Sequence, residues 1–266
     1  MRCDDTIRRM RGPDTVRAKT RVLLCLVFLA ASASQVRAAN DSGSIKLRKL
    51  PPVAINVAAF PRLVAGADPA IVKRINKLLA RGDGRVRNAA RDCLRMGRKR
   101  ADWSRKVSVT MQGPRYLSFV ASDDYYCGGA YPDTSTVALV FDLNTGGLVD
   151  WAKLLPELAQ RTGADTAGDG STLGTVSSGR LSDLYRDLAK RGGGVPECVD
   201  SLKETEMNFL LWPDTKQDGL VVQPDLAHVI AACGPALPIP LQTLRSLGVN
   251  AEFVKAIDAA HRQGGG

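Results

Sequence analysis

Apolar and polar positions along the chain alternate with two different periods. Ile71, Ile75, Leu78 and Leu79 recur at helical spacing behind Asp68 and Pro69, a cap residue and a residue suited to the first turn, and Gly82 reads as the stop. A weaker helical stretch, RVRNAARDCLRM, carries Cys93. Upstream, the proline-bounded run 53–57 reads as a strand. RKVSVTMQ and RYLSFVAS alternate with period two, STVALVFDL is rich in β-branched residues, and the NTGG turn at 144–147 leads into the returning strand LVDW. AKLLPELAQ predicts a short helix. Residues 161–179, rich in Gly, Ser and Thr, predict a mobile surface loop. RLSDLYRDLAKR predicts a helix, and MNFLLWPD and DGLVVQP a second hairpin. LAHVIAAC and PALPIP read as further strands or sheet edges, LQTLRSLG and NAEFVKAIDAAHRQ as closing helices.

This pattern predicts an α+β fold, with antiparallel sheets, packed helices and two small disulfide-tied subdomains. The expected divisions are an N-terminal subdomain at 48–112, a larger α+β domain at 113–256 and a disordered tail at 257–266.

The chain has 266 residues and a formal charge of +10. The N-terminus changes what that charge means. Residues 1–21 are rich in arginine, VLLCLVFLAASAS is uncharged, and Val36-Arg37-Ala38 offers a small-x-small exit. This is the composition of a secretory signal peptide over 1–38, followed by a flexible segment at 39–47. The apolar run is too short for a bilayer span, which takes about 20 residues. Bulky Leu24 before Cys25 argues against lipid attachment, and Met10 is an alternative start. Without residues 1–38 the charge falls to +5, which is too modest to argue for nucleic acid. The expected location is the periplasm or the exterior.

Export also bears on the cysteines. Cys93, Cys127, Cys198 and Cys233 remain after cleavage, an even number with no CxxC spacing, which favours disulfides over zinc. Three pairings exist. The sequential one, Cys93–Cys127 with Cys198–Cys233, lets each half close its own loop.

Residues 81–106 hold ten basic side chains, from Arg81 through Arg105 to Lys106, against Asp83, Asp92 and Asp102. The run offers weak contact with anionic surfaces, or simply a solvated face. Catalytic sets do not close. The chain has two histidines, with His228 placed in an apolar strand and His261 in the tail, and there is no GxSxG elbow. Asp123, Asp124, Asp133 and Asp142 flank turns, where aspartate commonly bonds its own backbone. They show no EF-hand pattern, so no metal or cofactor is expected. Carboxylates around Asp123 and Asp133 leave cell-wall hydrolysis as the alternative function. Tyr125, Tyr126, Tyr131 and Trp151 form a candidate recognition surface, since Tyr and Trp are frequent interface anchors.

GGAYPDTSTVALVFDLNTGGLVDWAKLL, with INVAAFPRLVAGADPAIVKRINKLL upstream and ALPIPLQTL downstream, resembles a bacterial envelope domain family of unknown function. Members of that family form the extracellular region of lysozyme-sensing anti-sigma factors and accompany peptidoglycan deacetylase domains. The resemblance spans about residues 48–247. It departs at Tyr131, where the family carries histidine, so no role of that histidine transfers. The resemblance implies an exported, non-catalytic, sensor-like or binding module whose partner is an envelope protein or a cell-wall glycan.

Overall fold

The computed structural model describes residues 44–97, 100–192, 196–203, 207–217 and 219–264. The predicted export signal, residues 39–43, Arg98, Lys99 and the last two glycines lie outside them. The segment expected to be flexible at 39–47 instead contributes at its end to β1 (Lys46–Arg48), which pairs antiparallel with β2 (Arg62–Ala65). The predicted strand at 53–57 is a tight turn. Asn56 has φ 61°, Ala54 and Val57 form a bridge, and Val57 also bridges to Arg105.

The two predicted N-terminal helices are one, α1 (Pro69–Gly97). Asp68 caps it, its Oδ1 accepting from the Ala70 amide at 2.8 Å. Gly82 does not stop this helix because tertiary packing needs it there. A Cβ at Gly82 would come within 3.3 Å of the Phe60 ring. Ile75, Leu79, Val86, Ala90 and Cys93 continue the buried stripe past Gly82 and Gly84. Full burial of an Ile or Leu contributes about 1.5–3 kcal/mol, enough to outweigh the helix cost of a glycine, about 1 kcal/mol.

The alternating runs form a four-stranded antiparallel sheet in the order β3 (Asp102–Gln112), β4 (Tyr116–Tyr126), β5 (Asp133–Asp142) and β6 (Gly147–Leu148). α2 (Trp151–Leu154) follows. The stretch 161–179, expected to be a mobile loop, is instead the hairpin β7 (Arg161–Thr166) and β8 (Thr172–Ser177), followed by the start of α3 (Gly179–Arg191). β7 is exposed throughout, so its order comes from its pairing with β8 along its length and from contacts of their turn, not from a buried face. α3 is capped by Ser178, whose hydroxyl accepts from the Leu181 amide. Then come α4 (Pro196–Lys203), β9 (Asn208–Asp214) and β10 (Gly219–Asp225). LAHVIAAC is not a strand; residues His228–Cys233 form a 3-10 segment. β11 (Leu237–Pro240), α5 (Leu241–Ser246) and α6 (Ala251–Gly264) complete the order. The second large sheet runs β11-β10-β9-β8-β7, and its pairings are antiparallel.

Residues 257–264 continue α6 and are not a disordered tail. Ile257 is fully buried, and His261 Nδ1 donates to the Thr215 carbonyl. The expected boundary at 112/113 falls inside the β3–β4 hairpin, and residues Asp41–Gly266 form one compact unit rather than two subdomains. One apolar cluster joins Phe60, Ile75 and Leu79 to Phe119, Phe141, Leu210 and Trp212, locking the two sheets together. A second gathers Tyr185, Phe209, Leu220, Ile239 and Phe253 beneath α3, α5 and α6. The disulfides are the sequential pair, Cys93–Cys127 and Cys198–Cys233. Among the described residues no helix is long and apolar enough to cross a membrane.

Candidate functional site

The site grows from the register of β3 against β4. Arg105 lies directly opposite Asp123, and Trp103 opposite Tyr125. Side chains alternate along a strand, so these four share one face. Arg105 donates from Nε to Asp123 Oδ1 at 2.7 Å and from Nη2 to Asp169 Oδ2 at 2.6 Å. The Trp103 indole N–H also donates to Asp123 Oδ1, at 2.9 Å. The side chains of Arg105 and Asp123 are 0 % exposed. Burial alone would lower the Arg105 pKa, but the bonds to Asp123 and Asp169 outweigh it and hold it above the ordinary arginine value.

Arg105 therefore belongs to a buried cluster and not to a basic surface. Arg81, Arg85, Arg87, Arg91, Arg95, Arg100 and Lys106 do reach solvent. Asp123 is structural, whereas its neighbour Asp124 points to the opposite, exposed side.

Asp169 comes from the β7–β8 turn, and its other oxygen accepts from the Ser171 amide at 2.7 Å. Gly168 in that turn lies against Tyr125; a Cβ there would come within 2.4 Å of the phenol oxygen. Glycine is required at this close approach. The Tyr125 ring stacks on Trp103 with centroids 4.5 Å apart, and its hydroxyl donates to Asp133 Oδ2 at 3.2 Å. Desolvation first, then the charges of Asp133, Asp123 and Asp169, push the Tyr125 pKa up to about 12, so the phenol stays a donor.

Asp133 Oδ1 lies 3.1 Å from His228 Nδ1. A carboxylate only accepts, so Nδ1 carries the proton in this contact. The Tyr131 ring, 74 % exposed, lies over His228 at 6.2 Å and 26°. Tyr126 donates to the Gly129 carbonyl and closes the turn between β4 and β5. Both disulfides anchor this end. Cys127 ties that turn to α1, and Cys233 ties the His228 segment to α4.

A cavity of about 80 Å³ adjoins it, lined by Thr134, Ser135, Thr136, Gln223, Asp225 and Leu226 among others. The buried Ser135 hydroxyl has no partner among the described residues. Asp225 hydrogen-bonds Asp165, and two carboxyl groups this close share a proton. Desolvation first, and Asp165 second, push the Asp225 pKa up to about 6 from 3.8. The raised value means that the proton-sharing contact stabilises the fold fully below about pH 4 and is lost as pH rises through about 6. Asp225 is exposed, so the effect is small. Asp225→Asn is expected to flatten the pH dependence of the melting temperature between pH 4 and 7. An unchanged slope would reassign it to other groups.

Of the four aromatic residues that suggested a recognition surface, Tyr125, Tyr126 and Tyr131 gather at this end. Trp151 stands apart from them. It lies at the start of α2, beyond the opposite end of β4, edge-on to Phe253 at 6.0 Å. His228, Asp169, Asp165 and Asp225 were not singled out from sequence as parts of a site. The opposite charges of Arg105 and Asp123 offer a signal once the hairpin register is known. The contact between His228 and Asp133 spans 95 residues and leaves no local signal. Among the described residues no group of three or more His, Cys, Asp or Glu side chains is placed to hold a metal ion.

The sequence matches no protein-family model and no curated protein. Among solved structures it is similar to a member of the DUF3298 family from Bacteroides fragilis. The identity is 14 % and the TM-score 0.40, covering 81 % of this chain and 94 % of that one.

Proposed function

We propose that the protein is an exported, non-catalytic binding module of the cell envelope, and that the Tyr131–His228–Asp133 end docks a hydroxyl-rich glycan. The observation that carries this reading is an exposed aromatic ring beside an imidazole and a carboxylate, next to a hydroxyl-lined cavity, on two segments each pinned by a disulfide. A tyrosine ring offers an apolar platform with a polar rim. The carboxylate, Thr134, Ser135 and Thr136 offer acceptors and donors to sugar hydroxyls. Covalent pinning limits the ordering cost of binding. Two disulfides also suit an oxidising compartment. The motif resemblance to the extracellular region of anti-sigma factors supports a sensor-like role.

Tyr131→Ala is expected to weaken chitotetraose binding at least tenfold in calorimetry while leaving the melting temperature unchanged, because the ring is exposed. Equal affinity of variant and parent, or no heat from either, would remove the glycan reading. The second reading, wall hydrolysis by carboxylates, now rests on Asp124, Asp133 and the proton-sharing Asp165–Asp225 contact, since Asp123 is sealed by Arg105. Reducing ends accumulating during the same titration would favour it.

A further inference from the structure

Far from the tyrosine end, a cleft of about 430 Å³ opens beside the NTGG turn. Its volume lies within the range of small-ligand sites, about 300–1,000 Å³. Arg115, Tyr116, Asp142, Asp150, Lys153 and Glu252 line it, with Leu148, Val149 and Leu154 among its apolar positions. Arg115 is held in place. Nη2 donates to Asp142 Oδ2 at 3.1 Å, the guanidinium lies 5.6 Å from the centre of the Tyr116 ring, and the Arg115 carbonyl accepts from the Leu143 amide. Asp142 is fixed in turn, its Oδ1 accepting from the Asn144 amide at 2.8 Å. The Arg115 Nε–H is buried and has no acceptor among the described residues.

The charges around the cleft are mixed. Lys153 stands 3.3 Å from Asp150, and Glu252 pairs with Lys255 at 2.9 Å. Lys255 first, and Arg115 to a lesser extent, hold the Glu252 carboxyl below the usual glutamate range, which sets Arg115 and Glu252 within electrostatic reach of each other. A polyanion would meet three carboxylates here, and a polycation would meet Arg115 and Lys153. A ligand with one charge of each sign matches Arg115 on the one hand and Glu252 on the other.

We infer that this cleft is a second binding site, for a short zwitterionic peptide whose carboxylate meets Arg115 and whose ammonium meets Glu252, with Lys153 and Asp150 left paired to each other. Fixed guanidinium groups suit carboxylate recognition, and the apolar positions accept small side chains. The inference is independent of the glycan reading of the tyrosine end.

The test is an amide-resolved NMR titration of the protein with trialanine, with N-acetyl-trialanine and trialanine amide as charge-blocked controls. Shifts are expected at residues 115–116, 142–154 and 250–252, with at least tenfold weaker binding of each control. Arg115→Gln is expected to reduce trialanine affinity at least tenfold. Glu252→Gln is expected to weaken trialanine while leaving N-acetyl-trialanine, which has no ammonium, less affected than Arg115→Gln leaves it. Tyr131→Ala is expected to leave all of these affinities unchanged. No shifts in the cleft, or controls that bind as well as trialanine, would overturn the inference whatever chitotetraose does.

Discussion

Asp123→Ala is expected to destabilise the protein by about 3–5 kcal/mol, the range seen when one partner of a buried ion pair is removed. Arg105 is completely enclosed, and it spends Nε and Nη2 on Asp123 and Asp169. Its Nη1 already lacks a partner among the described residues. Removing Asp123 leaves a buried guanidinium with one carboxylate and also strands the Trp103 indole N–H. For a domain of this size each kcal/mol shifts the melting temperature by about 2–4 °C, so a fall on the order of 10 °C is expected. Replacing Arg105, Asp123 and Asp169 together by Met, Leu and Leu is expected to cost less than Asp123→Ala alone, because no uncompensated charge remains. Denaturant titration of the three proteins checks this. A loss under 1 kcal/mol for Asp123→Ala would show that water reaches Arg105.

Replacing Cys198 and Cys233 by alanine is expected to lower stability by roughly 3–4 kcal/mol, the loop-entropy value for the 35-residue separation they close. The Cys93–Cys127 loop is nearly the same length, at 34, so its chain-entropy contribution is similar. The two bridges differ in what they hold. Cys93–Cys127 sits in a buried cluster with Val57, Val86 and Trp103, which still packs when the sulfurs are gone. Cys198–Cys233 joins α4 to a short 3-10 segment in which Val229 is exposed and no residue is fully buried. Losing it is therefore expected to release His228 well below global unfolding, as a local opening. Amide exchange should accelerate at 228–233 in this double variant and much less so at 125–133. Uniform acceleration across both segments would mean that the end opens as a single unit.

Much of the architecture was legible in the pattern of apolar residues. α3, the β9–β10 hairpin and the β3–β5 ribbon follow from periodicity, and the sequential disulfides from the separation of the cysteines. What escaped depends on partners distant in sequence. Gly82 carries the local mark of a helix stop, but the neighbouring Phe60 ring makes it a packing residue inside a helix. The stretch 161–179 has the composition of a loop. Its hairpin is ordered by Asp169 reaching Arg105 across 64 residues and by Gly168 settling on Tyr125. The site was legible only in outline. Tyr125 and Tyr131 pointed to it, but Asp123 reads as an accessible acid until the β3–β4 register sets it opposite Arg105. Trp151 looks close to the tyrosines in sequence. Yet β4 has 11 residues at about 3.4 Å each, so its two ends lie some 30 Å apart.

The disulfide-pinned end built from the β4–β5 turn and the His228 segment is proposed as a docking surface for sugar hydroxyls. Amide-resolved NMR titration with chitotetraose tests it most directly. Saturable shifts are expected, confined to residues 125–136 and 223–234, with the midpoint at least tenfold higher in Tyr131→Ala. Shifts confined to the Arg115 cleft or scattered over the exposed face of α1, or no shifts at all, would contradict it.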